Sequence, residues 1–336
     1  MSAGNDSEEL LRLENLCISV PSHGRRCLAV DGVSLSVHKG EVFGLVGESG
    51  CGKSLTSLSI EGLLPEGAEL AGGAVVFGGQ NMLSLPPRER RSLCGRDIAM
   101  VFQEPMSSLN PLMRIQAQVE EPLKIHSNLK RDERRERVRA ALTAVGLRDV
   151  ERLMKSYPHE LSGGMRQRVM IAMAAICHPR LLIADEPTTA LDVNTQTQVL
   201  ELLRGLNRDY GTAILFISHD LGLVKNLCTS LAVMYAGKIV ERGRMEELLS
   251  WPAHEYTRGL LRSIPDKSRK GQPLDCIPGR VPAVSEQKAP CPFAPRCPKA
   301  RSCCFELAPP ALALSLSHTV YCHLPDGMEG FAYGRE

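Results

Sequence analysis

Short runs of apolar, often β-branched residues recur along the first 250 residues, and longer stretches with apolar residues at helical spacing separate them. This alternation is typical of an α/β domain with a mainly parallel sheet, because parallel neighbours need a crossover connection. Segments 13–20 and 74–77 are predicted to add an antiparallel portion. The predicted strands of the parallel sheet are 41–46, 98–102, 181–184, 213–217 and 231–235.

Between residues 104 and 160 the strand pattern disappears, and we predict a helical insertion at about 104–164. Within 130–145, one helical face carries Val138, Ala141, Leu142 and Val145. The run KRDERRERVR in this stretch contains six basic and three acidic residues. Because the acids are interleaved with the bases, the run indicates a solvated helix face rather than a nucleic-acid patch.

After Trp251 the chain becomes rich in Pro and Gly and loses its periodicity. We therefore predict a domain at 1–250 and a small loop-rich module at 251–336, called here the C-terminal module. The total of 336 residues agrees with about two domains.

Charge, hydropathy and the N-terminal sequence narrow the function classes. The formal net charge of +2 creates no general attraction to nucleic acid. The longest apolar stretches, such as 169–177, are far shorter than the roughly 20 residues of a membrane-spanning helix. The start MSAGNDSEEL lacks the layout of a secretory signal, so we expect a cytoplasmic protein whose twelve cysteines are free thiols or metal ligands.

Residues 47–54, called here the phosphate loop, match the pattern G-x-x-x-x-G-K-[ST] between a predicted strand and a predicted helix. Backbone N–H groups of such a loop converge on phosphate oxygens, and the following helix points its positive end at them. Lys53 adds a charge for the β- and γ-phosphates, and Ser54 is suited to Mg²⁺. The alternative is an ordinary Gly-rich turn. The predicted nucleotide-binding residues of the loop are Gly47, Glu48, Ser49, Gly50, Cys51, Gly52, Lys53 and Ser54.

The segment LLIADE, residues 181–186, places two acids directly after a buried strand. Asp185 is suited to the Mg²⁺ shell, and Glu186 to orienting and polarising an attacking water. The alternative is a strand with a solvated acidic end.

The segment LSGGM, residues 161–165, precedes an apolar helical run. Ser162 is a predicted N-cap, and Gly163 and Gly164 leave backbone N–H groups uncovered. The chain thus offers a second phosphate-binding helix start. If both serve one nucleotide, the economical arrangement has this second start facing the phosphate loop of a neighbouring subunit.

In order along the chain, the phosphate loop, Gln103, LSGGM, LLIADE, the turn 189–192 and His219 in FISHD resemble the ATP-binding-cassette (ABC) family over residues 10–250. The resemblance implies that Glu186 is the catalytic carboxylate and that His219 contacts the γ-phosphate. It also implies that Gln103 touches Mg²⁺ or water and reports nucleotide state to a membrane partner, and that Asp192 lies at a dimer seam.

The implied fold class is α/β, a P-loop NTPase with a RecA-like parallel sheet core, an antiparallel β portion, an inserted helical subdomain and a cysteine-containing C-terminal module. The implied cofactors are ATP and Mg²⁺. One departure concerns Val20, which stands where family members commonly stack an aromatic residue on adenine.

The segments 103–111, 157–174 and 185–192 are similar to the ATPase subunits of dipeptide, oligopeptide and nickel importers. That resemblance implies two integral membrane permease subunits, a second ABC ATPase subunit that is either this chain or a relative, and an extracytoplasmic solute-binding protein as an indirect partner. It implies a peripheral position at the cytoplasmic face of the membrane, and no nucleic-acid partner.

Five cysteines fall between residues 291 and 322, and the four main ones follow the pattern Cys291-x5-Cys297-x6-Cys304-x17-Cys322. Four thiolates in a small module make a plausible metal site, but the spacing matches neither the usual zinc pairs nor the ferredoxin runs. The module resembles that of oligopeptide and dipeptide importer ATPases, which implies a four-iron four-sulfur cluster; the alternatives are zinc and four cysteines without metal. Cys303 stands beside Cys304, so either can be the ligand.

Two other function classes stay open at this point. One is a soluble cassette ATPase acting on nucleic acid or ribosomes, although such proteins generally carry two cassettes or long coiled-coil arms, and neither is visible here. The other is a regulatory redox protein in which the cysteine module is the main function and the ATPase is vestigial.

Overall fold

The computed structural model describes residues 8–104, 108–189, 191–265, 275–287 and 289–323. Internal packing divides the chain into two compact units. The first unit comprises Met1–Arg12, Ser36–Val42 and Val76–Ile217, and the second comprises Leu13–Leu35, Phe43–Val75 and Ser218–Glu336. The predicted domain boundary near residue 250 stays a prediction.

Strands and helices alternate along most of the described chain. The strands are β1 Glu9–Ser22, β2 Arg25–His38, β3 Val42–Val46, β4 Glu69–Phe77, β5 Gln80–Asn81, β6 Ile98–Val101, β7 Leu181–Asp185, β8 Ala213–Ser218, β9 Ser230–Tyr235, β10 Lys238–Arg244, β11 Ala311–Ala313 and β12 Thr319–Tyr321. The helices are α1 Lys53–Glu61, α2 Pro87–Leu93, α3 Ile115–His126, α4 Arg131–Ala144, α5 Val150–Lys155, α6 Gly163–Ala175, α7 Val193–Tyr210, α8 Leu221–Leu227, α9 Met245–Ser250, α10 Glu255–Arg262 and α11 Ser302–Glu306.

The first unit contains a parallel sheet in which β7 lies between β6 and β8. Every residue of β7 and β8 is buried. Strands covered on both faces have no polar face to alternate with, so they are continuous apolar runs in the sequence. The predicted α/β class and these three predicted strands are confirmed.

The helical insertion is confirmed by α3, α4 and α5 in the first unit. On α4, Val138 and Leu142 are fully buried, as their helical spacing predicts. Several basic side chains of α4 pair with acids: the half-buried Arg134 contacts Glu120 at 2.8 Å, and Arg139 pairs at the surface with Glu136 and Glu151. The basic run is therefore balanced by acids, as their interleaving in the sequence indicates.

In the second unit, β9 is parallel to β3 and antiparallel to β10, and β12 extends this sheet from β10 to β11. The prediction that the C-terminal module is loop-rich is therefore incomplete, because the module adds β11 and β12 to a sheet edge. Glu241 joins this edge to the module from a fully buried position: its carboxylate contacts His318 Nε2 at 2.8 Å and accepts the His254 N–H at 3.0 Å.

The predicted antiparallel portion is also present. The turn His23–Gly24, with φ of 49° and 75°, joins β1 to β2, and both angles suit a two-residue hairpin turn. In the second unit β1 lies between β2 and β4. Among the described residues, no helix combines the length and the apolar character needed to cross a membrane.

The buried carboxyl group of Glu61, at the end of α1, should make the stability of the protein depend on pH. Burial raises the pKa of Glu61 from 4.5 to about 7. The folded protein therefore holds this proton more tightly than the unfolded chain, and stability is lost as pH rises from about 4.5 to 7. We expect Glu61→Gln to gain up to about 3 kcal/mol of unfolding free energy relative to wild type between pH 5 and pH 8.

Denaturant unfolding at the two pH values measures this change, and Glu66→Gln is the matched control because Glu66 is exposed. The control should differ from wild type by the same amount at both pH values. A Glu61→Gln difference that does not depend on pH would contradict the prediction.

Candidate functional site

The phosphate loop lies in the second unit, between β3 and α1. Gly50 and Gly52 have φ of 79° and 105°, which glycine adopts without strain. A Cβ on Gly47 would lie 2.1 Å from the carbonyl oxygen of Met234, and one on Gly52 would lie 2.8 Å from that of Ala29. The path of the loop therefore requires glycine at both positions.

Lys53 is folded back over the phosphate loop. Its Nζ donates hydrogen bonds to the carbonyl oxygens of Gly47 at 2.8 Å and Glu48 at 3.0 Å, and the residue is only 4% exposed. The N-cap of α1 is Gly52, which has no side chain to cap the helix. An ammonium group and a helix N-terminus at one loop favour an anion there.

The remaining side chains of the loop differ in exposure. Burial raises the pKa of the Cys51 thiol, so this fully buried residue is a neutral packing group. Ser49 is exposed and Ser54 is half-buried. Their predicted roles toward nucleotide and Mg²⁺ stay predictions.

The acidic strand end lies in the first unit. Asp185 ends β7 and is buried, and Glu186 follows with an unusual φ of 46° and 9% exposure. Glu186 Oε2 accepts hydrogen bonds from Gln103 Nε2 and Thr189 Oγ1, both at 3.0 Å. Since β6 and β7 are parallel neighbours, the residues after them emerge at one edge of the sheet, which brings Gln103 to Glu186.

This geometry fixes the orientation of the Glu186 carboxylate. A carboxylate held at one oxygen by two donors keeps its other oxygen in a set direction, which suits hydrogen bonding to a water. The contact of Thr189 with Glu186 is not predicted from the sequence, where Thr189 is only part of a turn. A hydroxyl three residues after the carboxylate is the one sequence feature that could have indicated this hydrogen bond.

The LSGGM segment opens α6 in the first unit. Ser162 is the N-cap, as predicted, and its Oγ accepts the Met165 N–H at 3.4 Å. A Cβ on Gly164 would lie 2.9 Å from Thr195 Cγ2, so glycine lets the starts of α6 and α7 pack closely. Asp192 caps α7 through the Thr195 N–H at 3.0 Å, and hydrogen bonding from the Thr195 side chain lowers the pKa of Asp192.

His219 and Val20 complete the predicted nucleotide contacts. His219 follows β8 and is exposed, and the next residue, Asp220, caps α8 by accepting the Gly222 N–H at 2.7 Å. Val20 lies in β1 and is half-buried. The roles of these residues, like that of Asp192 at a dimer seam, stay predictions.

The four predicted cysteine ligands line one small cavity in the second unit: Cys291, Cys297, Cys304 and Cys322. Its volume of about 20 Å³ is the room of about one water molecule. Cys303 is not among the lining residues, so the structure favours Cys304 of this pair.

The arrangement of side chains gives no further support to a metal. Within the part of the chain that the structure describes, no group of three or more His, Cys, Asp or Glu side chains is arranged to hold a metal ion. Neither the predicted cluster nor the zinc alternative is therefore shown. Burial raises the pKa of the Cys291 and Cys297 thiols, so a metal would have to displace their protons.

Two family models match the sequence. Residues 30–189 match the model described as ABC transporter, which spans the phosphate loop and the acidic strand end. Residues 240–304 match the model for the C-terminal region of oligopeptide/dipeptide transporters.

The chain is also similar to several related proteins over most of its length. It is 48% identical to the probable peptide ABC transporter ATP-binding protein y4tR of Sinorhizobium fredii, covering 88% of each chain. It is 44% identical to the dipeptide transport ATP-binding protein DppD of Bacillus subtilis, covering 95% of this chain and 96% of the relative. Identity to the oligopeptide transport ATP-binding protein OppD of Escherichia coli is 43%, covering 92% and 91%.

Among solved structures, the dimeric post-hydrolysis state of the ATP-binding cassette MJ0796, bound to ADP and phosphate, matches with a TM-score of 0.64 at 27% identity. The match covers 70% of this chain and 99% of that one. The fold, the order of the motifs and the relatives agree. The chain belongs to the ATP-hydrolysing subunits of ABC transporters, with the C-terminal region found in the oligopeptide and dipeptide transporters.

Proposed function

We propose that this ATPase powers the import of dipeptides or oligopeptides through separate membrane subunits. The observation that carries the proposal is the match, over nearly the whole chain, to relatives named for dipeptide and oligopeptide transport. These names favour peptides over nickel or another small solute as the cargo.

In the proposed reaction, the phosphate loop binds the β- and γ-phosphates through its backbone N–H groups and Lys53. Phosphoryl transfer depends on positioning and on neutralising charge, which is what such a loop supplies. Ser54, Gln103 and Asp185 would hold Mg²⁺, which supplies further positive charge to the phosphates. His219 contacts the γ-phosphate.

Glu186 orients the attacking water and accepts a hydrogen bond from it. The hydrogen bonds from Gln103 and Thr189 support this role, because they hold the carboxylate in one orientation. The same Gln103 amide gives the membrane-facing insertion a direct link to the catalytic carboxylate. A change at the nucleotide would thereby reach the helices of the insertion.

The protein works as a dimer of cassettes, with itself or with a related chain. Ser162, Gly163 and Gly164 of one cassette contact the nucleotide held by the phosphate loop of the other, and Asp192 lies at the seam. The N-terminus of α6, which begins at Gly163, supports this role because it presents backbone N–H groups. The solved cassette that the chain resembles is described as dimeric.

Two permease subunits span the membrane, the ATPase sits peripherally at their cytoplasmic face, and an external solute-binding protein delivers the cargo. The pairing of Arg134 with Glu120 and of Arg135 with Glu151 favours this over a nucleic-acid or ribosome partner, because the basic run of α4 is balanced by acids.

We also propose that Cys291, Cys297, Cys304 and Cys322 hold a four-iron four-sulfur cluster. All four thiols line one cavity, but its volume of about 20 Å³ means that the loops around it would have to move apart to admit the cluster.

The first test concerns the catalytic carboxylate. Glu186→Gln should lower ATP turnover by at least about 100-fold, because the amide cannot act as a base, while ATP binding is retained. Turnover is measured with the membrane subunits present. Glu201→Gln is the matched control, since Glu201 is an exposed residue of α7 and pairs at the surface with Arg204. Wild-type turnover in Glu186→Gln would contradict the assignment.

The second test concerns the shared site. A Lys53→Ala chain and a Gly163→Asp chain should each be inactive alone. Mixed, they should recover part of the ATP turnover, since one of the two sites in a mixed dimer combines an intact phosphate loop with an intact LSGGM segment. Mixing after dissociation, followed by turnover measurement, checks this. Absence of any recovery would argue against a homodimer with sites shared between chains.

The third test concerns the cysteines. Protein purified without oxygen should be brown, with broad visible absorption that is lost in Cys297→Ser. Cys303→Ser is the control and should keep the colour, because Cys303 does not line the cavity. A colourless protein with stoichiometric zinc would refute the iron cluster.

A further inference from the structure

A partly buried ion pair links the C-terminal module to the phosphate loop. Arg296 Nη1 donates to Glu48 Oε1 at 3.0 Å and to Oε2 at 3.2 Å, across 248 residues of sequence. The Arg296 side chain is 7% exposed and that of Glu48 is 31% exposed. The pair is therefore screened less by water and salt than the surface ion pairs of the protein.

Arg296 is held in place by its own module. Its Nε donates to the Pro278 carbonyl oxygen at 2.8 Å, and its Nη2 donates to that of Ile277 at 3.1 Å. The guanidinium also lies over the Tyr235 ring, 5.7 Å from the centroid. Its position is thus fixed independently of Glu48, through a planar fork of donors that lysine does not have.

A second contact fixes the backbone at the same loop residue. The Glu48 N–H donates to Tyr256 Oη at 2.9 Å. Tyr256 is fully buried and packs against Tyr235 and Phe293, with ring centroids 4.7 Å and 5.4 Å away. Both the main chain and the side chain of Glu48 are therefore held by residues outside the loop.

The negative charge of Glu48 would oppose nucleotide binding if it were not compensated. Glu48 is the only acidic residue of the phosphate loop. An unpaired carboxylate there would repel a triphosphate, and partial burial makes such repulsion stronger than in bulk water. Arg296 supplies the compensating charge from a fixed position.

We propose that Arg296 is a positioning residue of the ATP site: by pairing with Glu48 it neutralises and orients the phosphate loop, so that the C-terminal module sets ATP affinity. This inference rests on the proposed role of residues 47–54 in binding ATP. Arg296 acts through Glu48 and does not itself touch the nucleotide.

The experiment measures the Kd of Mg²⁺–ATP for the full-length protein by titration calorimetry. We expect Arg296→Gln to weaken binding about ten-fold, as loss of a charge-assisted interaction does. Adding Glu48→Gln to that variant should restore most of the affinity, because the repelling carboxylate is gone. In turnover assays, Arg296→Gln should raise KM for ATP and leave kcat near the wild-type value.

Arg296→Lys is the second variant, and it keeps the buried charge should the glutamine variant fold poorly. It should weaken ATP binding only about two- to three-fold, since it loses the fork but not the charge. Arg280→Gln is the matched control: Arg280 pairs with Glu286 in the same module but is 82% exposed, and its loss should leave the Kd unchanged. Circular dichroism checks that each variant is folded.

Wild-type affinity in both Arg296 variants would overturn the inference. An Arg296→Gln defect that Glu48→Gln does not relieve would also overturn it, because a merely structural role does not depend on the charge of Glu48. Lys53→Ala separates this from the proposed function. If Lys53→Ala binds ATP as the wild type does, the phosphate-loop assignment fails; if it loses binding while Arg296→Gln keeps it, only the present inference fails.

Discussion

Burial of parallel strands on both faces is the constraint from which the chemistry of this protein follows. Strands such as β3 and β7 have no exposed face, so charged residues can appear only where the strand ends. At the end of β3 the chain turns through the phosphate loop, and at the end of β7 it delivers Asp185 and Glu186. The apolar core therefore determines where the proposed ligand-binding groups lie, and the sequences of the loops determine which groups they are.

The same constraint explains what could be predicted from the sequence. Fully apolar runs bounded by motifs predicted β3, β6, β7, β8 and β9 to within about one residue at each end. By contrast, β2 was missed because its sequence RRCLAVDGVSLSVH mixes polar and apolar residues, and β11 and β12 were missed because three residues are too few to show a period. Local pattern thus revealed the continuous apolar strands and missed strands that are very short or that mix polar and apolar residues.

Contacts between residues far apart in the sequence could not be predicted, because no local sequence pattern contains them. Gln103 and Glu186 are 83 residues apart, and only the neighbouring positions of β6 and β7 bring them together. Arg296 lies in a Pro-rich stretch whose composition predicts only a loop. In the structure its guanidinium pairs with Glu48 of the phosphate loop. The choice between Cys303 and Cys304 likewise depends on which thiol faces the cavity, which spacing does not reveal.

Several buried hydrogen bonds join the C-terminal module to the rest of the second unit. Although burial favours the neutral acid, hydrogen bonds from His318 and from the backbone N–H groups of Ala253 and His254 lower the pKa of Glu241, so it is an ionised anchor. Burial lowers the pKa of His254 to about 4, which keeps its Nδ1 free of a proton to accept the Tyr256 N–H at 3.1 Å. These contacts orient the helix that carries Tyr256 to Glu48.

The cavity lined by the four cysteines is also connected to the phosphate loop through few residues. Cys297 directly follows Arg296, and its N–H closes the turn Ala294–Arg296 by bonding to the Ala294 carbonyl oxygen at 3.3 Å. Arg296, the residue that pairs with Glu48, is therefore next to Cys297 along the chain. If the cysteines hold a cluster as proposed, that cluster would be linked to the phosphate loop through this one side chain, so the proposed cluster and the proposed role of Arg296 concern the same loop.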